Sequence, residues 1–324
     1  MDRSRRRSSL LIGVAAGLAI AVASDLVLAA APALRERRWL VPTADTARIL
    51  SHRPLECLTR PATAEGQYLV EVGRAAFRDP LILGGQAARA GVACETCHRN
   101  GRTNHDFFFP GVSGEPGTAD VTSFVFSTHR GDHLSDPRPI PDLGGSKARL
   151  KVDQSPRSAA LETFIHGLIT EEFDGHEPPR AVLAGLAAYV RALDPGACSA
   201  KTDEAVTALG AWNDVVRAAE VARLAFERRD PTTAAVMLQA ARGSLEALSE
   251  RYAGPSLASQ RERLTEAARQ LGEINSAPAL EAWSRRALGW STGVLAAAPR
   301  SLYDPGRLAK ALRSSTPPRH VAAQ

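Results

Sequence analysis

Five consecutive residues, Cys94-Glu95-Thr96-Cys97-His98, constrain this chain more than anything else in it. Two thiols three positions apart, with a histidine directly after them, match the C-x-x-C-H pattern of covalent haem attachment. The layout answers a chemical need. The thiols reach two vinyl groups along one porphyrin edge as thioethers, and the adjoining imidazole swings beneath the ring to the proximal iron position. With four cysteines and eight histidines in 324 residues, chance supplies the pattern in about one such chain per thousand. A redox dithiol would want a thioredoxin-like βαβ surround, and the flanking sequence shows none. A zinc site would need two more ligands at close spacing, whereas Cys57 and Cys198 stand alone and far apart. The motif predicts one covalent haem c, tethered by Cys94 and Cys97, with His98 as a metal ligand.

The amino terminus fits that chemistry. Arg3, Arg5, Arg6 and Arg7 precede an apolar run from Leu10 to Ala23, and Ala29, Ala31 and Ala33 offer small-residue cleavage points. Residues 1–34 read either as a cleaved secretory signal or as a retained membrane anchor. Leu10 to Leu34 is long enough to span a bilayer, although Asp25 lies inside it and Arg35, Arg37 and Arg38 close it. Both readings put the body outside the cytoplasm, in a periplasm, soluble or tethered by its N-terminal helix. In that oxidising compartment the two remaining cysteines, Cys57 and Cys198, are expected to form a disulfide around the haem segment.

High-potential cytochromes usually present a methionine sulfur opposite the histidine. This chain has only Met1 and Met237, and neither lies between His98 and Cys198. Methionine ligation inside the haem segment is therefore excluded by inventory. The histidines left are His105, His129, His133, His166 and His176. His176 precedes a closing helix, in Phe173-Asp174-Gly175-His176-Glu177-Pro178-Pro179, and His129 and His133 share a long loop. The sixth position falls to His176, to His129 or His133, or stays vacant. A vacant position suits a peroxidase, and a filled one an electron carrier.

The fold class expected is mainly α, a cytochrome c-like haem domain followed by an antiparallel four-helix bundle. Residues 35–61 are polar and proline-punctuated, and read as a linker packed against the haem domain. That domain spans 62–199, with helical periodicity at Gln67–Phe77 and Pro179–Leu193 and its densest loops at 99–146. In 201–313 four apolar stripes repeat at helical spacing. They run from Ala208 to Phe226, Ala234 to Tyr252, Leu264 to Ile274 and Leu280 to Val294, with prolines in the gaps. No histidine lies between Glu177 and Arg319, so the bundle reads as structural or docking rather than metal-binding. Residues 314–324 read as a disordered tail. The net charge of +5 comes from the ends, since residues 39–200 carry 16 basic against 19 acidic side chains. No basic stripe is interleaved with aromatics, which excludes nucleic acid as a partner.

Val72-Gly73-Arg74-Ala75-Ala76-Phe77-Arg78-Asp79-Pro80, followed by Ala93 to Gly101 around the motif, resembles the opening of a haem domain in the bacterial di-haem cytochrome c peroxidase family. That family includes the oxidase of methylamine utilisation. Pro139-Ile140-Pro141-Asp142-Leu143 and Leu186 to Leu193 are compatible, so the resemblance covers roughly 66–196. The family divides electron entry and peroxide chemistry between two haems, whereas this chain has one motif. The resemblance carries over only Cys94, Cys97 and His98. The single motif and the leader together predict an exported mono-haem cytochrome passing single electrons between redox protein partners. The alternative is a peroxidase- or oxidase-like enzyme with an open distal iron position, and a third class is a haem-stabilised adaptor that binds through its bundle.

Overall fold

A computed structural model describes residues 34–145, 150–198 and 202–314. The expected leader, 1–34, lies outside these residues except for Leu34, and the expected tail, 314–324, except for Ser314. The described chain is mainly helical, with eleven α-helices and three small antiparallel strand pairs.

Its first part holds α1 (Thr46–Ser51), β1 (His52–Pro54), α2 (Ala64–Phe77), α3 (Gly85–Ala90) and α4 (Cys94–Cys97). Then come β2 (His98–Arg99), β3 (Arg102–Thr103), β4 (Thr118–Ala119), β5 (Arg138–Pro139), α5 (Ala160–Gly167) and α6 (Arg180–Ala192). Helix α2 begins where the Thr63 side chain accepts the Gly66 N–H, an N-cap that satisfies an otherwise orphaned donor. Tyr68, Val72 and Ala76, four apart, bury one face of it. Val182, Leu186, Tyr189 and Val190 do the same for α6. The two helices pack at bare backbone. A Cβ on Gly73 would sit 1.9 Å from the Gly185 carbonyl oxygen, so only glycine lets them approach this closely.

The four C-terminal stripes form α7 (Ala208–Glu227), α8 (Pro231–Glu250), α9 (Ala258–Leu271) and α10 (Ala277–Ala296), after the short strand β6 (Asp203–Ala205). Thr207 and Asp230 cap α7 and α8, and Pro231 occupies the first turn of α8, where its missing N–H costs nothing. Helix α7 packs along α8, α8 along α9, and α10 against both α7 and α9. Ala208, Trp212, Val215, Ala219 and Ala222 are buried as the spacing requires, and Trp212 meets Trp290 edge-on at 5.3 Å between ring centres.

One apolar core runs through both halves of the chain. Helix α2 touches α7 and α8, the Arg228 guanidinium lies 3.8 Å over the Tyr68 ring, and Gln239 donates to Asp79 at 2.6 Å. The described residues before 199 and after 201 therefore form two layers of one packed body. The stretch 35–61, which reads as a linker, carries a 3₁₀ turn, α1 and β1. Leu34, Leu40, Ile49 and Leu50 pack with Leu302 and with Leu308 of α11 (Pro305–Arg313) in a second, smaller core. Strand β1 pairs with β6, Leu58 bridges Leu193, and Cys57 is bonded to Cys198 with their Cα atoms 5.4 Å apart. The expected disulfide is present, and it closes the N-terminal segment onto the end of α6.

Replacing Gly73 by Ala forces α2 and α6 apart. Overpacking against backbone is expected to cost about 3 kcal/mol, the upper end of the usual range. Gly289 on α10 has nothing within 4 Å of its would-be Cβ, so Gly289→Ala is expected to stabilise by about 0.5–1 kcal/mol. Urea denaturation of the two variants beside the parent checks both signs.

Candidate functional site

Ala93 precedes a single helical turn, and Thr96 Oγ1 accepts the Ala93 N–H at 3.0 Å. One turn places Cys94 and Cys97 on the same face, since residues three apart are neighbours on a helix. The two thiols are free and not bonded to each other. Burial pushes both up to about 12, which favours the protonated thiols. At His98 the chain leaves the helix for β2. His98 Nδ1 lies 3.0 Å from the Pro141 carbonyl oxygen. A carbonyl can only accept, so Nδ1 carries the proton and Nε2 keeps its lone pair. Metal-binding histidines are commonly oriented in this way. Burial pushes the imidazole down to about 4, which keeps it neutral.

A buried polar knot supports the turn from behind. Strands β2 and β3 are joined by Asn100 and Gly101, both at positive φ (49° and 78°), a two-residue hairpin turn that needs such residues. Asn100 is fully buried. Its N–H donates to the Glu95 carboxylate at 3.0 Å, its amide nitrogen to the Pro54 carbonyl at 2.8 Å, and its amide oxygen accepts from Arg78 at 2.7 Å. Arg78 also donates to Glu56 at 2.9 Å, as do Arg74 at 3.0 Å and the Tyr189 hydroxyl at 2.7 Å. Burial would raise the Glu56 carboxyl, but the Arg78 and Arg74 charges more than reverse this and hold it at about 2. Asn104 adds two bonds to the turn, accepted by the carbonyls of Cys97 and Thr96, each at 2.9 Å.

The five candidate histidines fall into two groups, and among the described residues none hydrogen-bonds to His98. Helix α5 runs on through a π turn, Leu168–Glu172, into Phe173 and Asp174, the latter at φ 54°. The 173–177 turn carries His176, which is exposed and makes no hydrogen bond among the described residues. His166 Nε2 lies 2.6 Å from Glu177, and His129 Nε2 lies 3.8 Å from Asp174, so both flank that turn. The 127–130 loop is latched onto it. The Thr128 N–H donates to Asp174 at 2.9 Å, and Ser127 donates to the Glu171 carbonyl at 2.5 Å. His133 instead packs against Phe124, with ring centres 4.9 Å apart, and His105 is exposed beside Gly117. Met237 is fully buried within α8. No group of three or more metal-binding side chains occurs among the described residues.

Comparison with protein-family models, with curated proteins and with solved structures finds no match. The site stands on its own chemistry. Sequence reasoning missed the Pro141 carbonyl, since a backbone acceptor leaves no mark in side-chain identity. It also missed the Glu56–Arg78–Asn100 knot, although Asn100-Gly101 is a readable hairpin signal.

Glu56→Gln removes the carboxylate that Arg74 and Arg78 share, leaving them only Glu71 at 3.6 Å and Glu95 at 3.9 Å among the described residues. It is expected to cost about 3 kcal/mol near neutral pH. The folded carboxyl titrates at about 2 against 4.5 for the free group. Its contribution is therefore present above pH 4.5 and fades as pH falls toward 2. Denaturation midpoints of parent and variant should converge over that acid window. A constant gap would show that the stabilisation is not ionic.

Proposed function

We propose that the chain is an exported mono-haem c-type cytochrome that passes single electrons between redox protein partners. The observation that carries this reading is the His98 Nδ1 contact with the Pro141 carbonyl, beside two unpaired thiols on one helical face. That donor set fits a tethered haem better than a dithiol or a zinc site. Cys94 and Cys97 would hold the group through sulfur, and His98 would present Nε2 to the metal. When bound, haem supplies one-electron exchange at its iron. The Pro141 carbonyl fixes the tautomer and ring direction of His98, and the Asn100 hairpin fixes where the imidazole leaves the turn.

The finer architecture accords with the same reading. Residues 62–199 would form a cytochrome c-like domain, framed by α2 and α6, and α7 to α10 an antiparallel four-helix bundle packed on it. The likeness of 66–196 to a haem domain of the di-haem peroxidase family is part of this proposal. Disulfide formation between Cys57 and Cys198 fits a periplasmic location. His176 would be the second histidine offered to the metal, on a segment latched by the His166–Glu177 and Thr128–Asp174 hydrogen bonds.

Electron paramagnetic resonance of the oxidised protein tests the carrier reading. A low-spin ferric signal that turns high-spin in His176→Ala is expected. A high-spin signal in the parent, with turnover of hydrogen peroxide, would replace the carrier with the peroxidase- or oxidase-like alternative.

A further inference from the structure

The two ends of the described chain meet in the small core of Leu34, Leu40, Ile49, Leu50, Leu302 and Leu308. The segments that build it, 34–51 and 298–314, hold eight basic and three acidic residues. The acids are engaged locally. Glu36 pairs with Arg251 at 3.3 Å, and Asp45 and Asp304 cap α1 and α11. Arg35 is taken by Glu250 at 2.7 Å. Arg38, Arg48, Arg300, Arg307, Lys310 and Arg313 are exposed and form no ion pair among the described residues. Helix α11 turns Leu308, Ala311 and Leu312 into the core, so Arg307, Lys310 and Arg313 line its opposite face at helical spacing.

This imbalance is local to the cap. The bundle, 205–297, holds eleven basic and ten acidic residues, and Arg223, Arg269 and Arg285 are paired there with glutamates. A surface with so large a local excess of positive charge suits a planar anionic partner. The apolar run that begins at Leu10 continues to Leu34, which is buried in this same core. A membrane that receives that run therefore lies next to the cap.

We propose that this basic cap is a docking face for the anionic phospholipid headgroups of a bilayer, with Arg307, Lys310 and Arg313 as its main contacts. Such cations act through headgroup charge and are screened by salt. The proposal is independent of haem.

Hydrogen exchange of the exported protein tests it, with vesicles of phosphatidylcholine alone and of phosphatidylcholine mixed with phosphatidylglycerol. A retained leader would act in both mixtures, and its own arginines favour the anionic one. The comparison of the parent with the cap variant below, which leaves the leader intact, therefore reports the cap. Amides of α11 should gain protection with the anionic vesicles only, and lose it at about 1 M salt, where screening falls to about 3 Å. In the triple variant R307Q/K310Q/R313Q, the lipid concentration for half-protection should rise about a hundredfold, from about fivefold per cation. Unchanged α7 protection shows that the variant is folded. If it does not fold, the three single variants give the same reading. Equal protection with both vesicle types, or protection by an acidic protein but not by anionic vesicles, overturns the proposal.

Discussion

Behind the Cys94–His98 turn, a fully buried Asn100 has to satisfy an amide, a carbonyl and a backbone N–H without water. Glu95, Pro54 and Arg78 do so, and Arg78 in turn needs Glu56, which Arg74 and Tyr189 also share. An unmet polar group at such depth costs a few kcal/mol, so each member fixes the next. Together these residues join the strand before the disulfide, helix α2, helix α6 and the hairpin just after the motif. The direction in which the His98 imidazole leaves the chain is set by this knot and by the Pro141 carbonyl. In the proposed site the cysteines and the histidine would carry the chemistry, and the knot decides where they stand.

The second layer bears on the same point. Helices α7 and α8 pack on α2, and Asp214 of α7 approaches Arg53 at 3.9 Å, beside the Arg53–Glu204 pair at 2.8 Å that ties β1 to β6. Helices α7 and α8 therefore brace α2. This gives them a structural role that requires no cofactor of their own. It also explains why their interior is filled with Ala, Leu, Val and Trp.

Several elements were legible in the sequence because their signal is local. The four stripes at helical spacing became α7 to α10, the two helical patterns before residue 200 became α2 and α6, and Cys57 found Cys198. What was not legible depends on partners distant in the chain. Residues 35–61 look like a linker because their apolar positions, Leu40, Ile49 and Leu50, are completed only by Leu302 and Leu308 from the other end. Helix α11 is short, and its periodicity is masked by the cations on its outer face. At the site, Cys94, Cys97 and His98 announce themselves by spacing. Glu56, Arg78 and Pro141 have no spacing rule that links them to the motif, and they emerge only when the chain is folded.

The central claim is that Cys94 and Cys97 are bonded to a haem while Cys57 and Cys198 are bonded to each other. Intact-mass measurement of the protein, exported by a host able to attach haem and treated with an alkylating agent without reductant, tests this most directly. The account predicts the polypeptide plus one haem, with no alkylation at any of the four cysteines. A bare polypeptide that takes the reagent at Cys94 and Cys97 would contradict it.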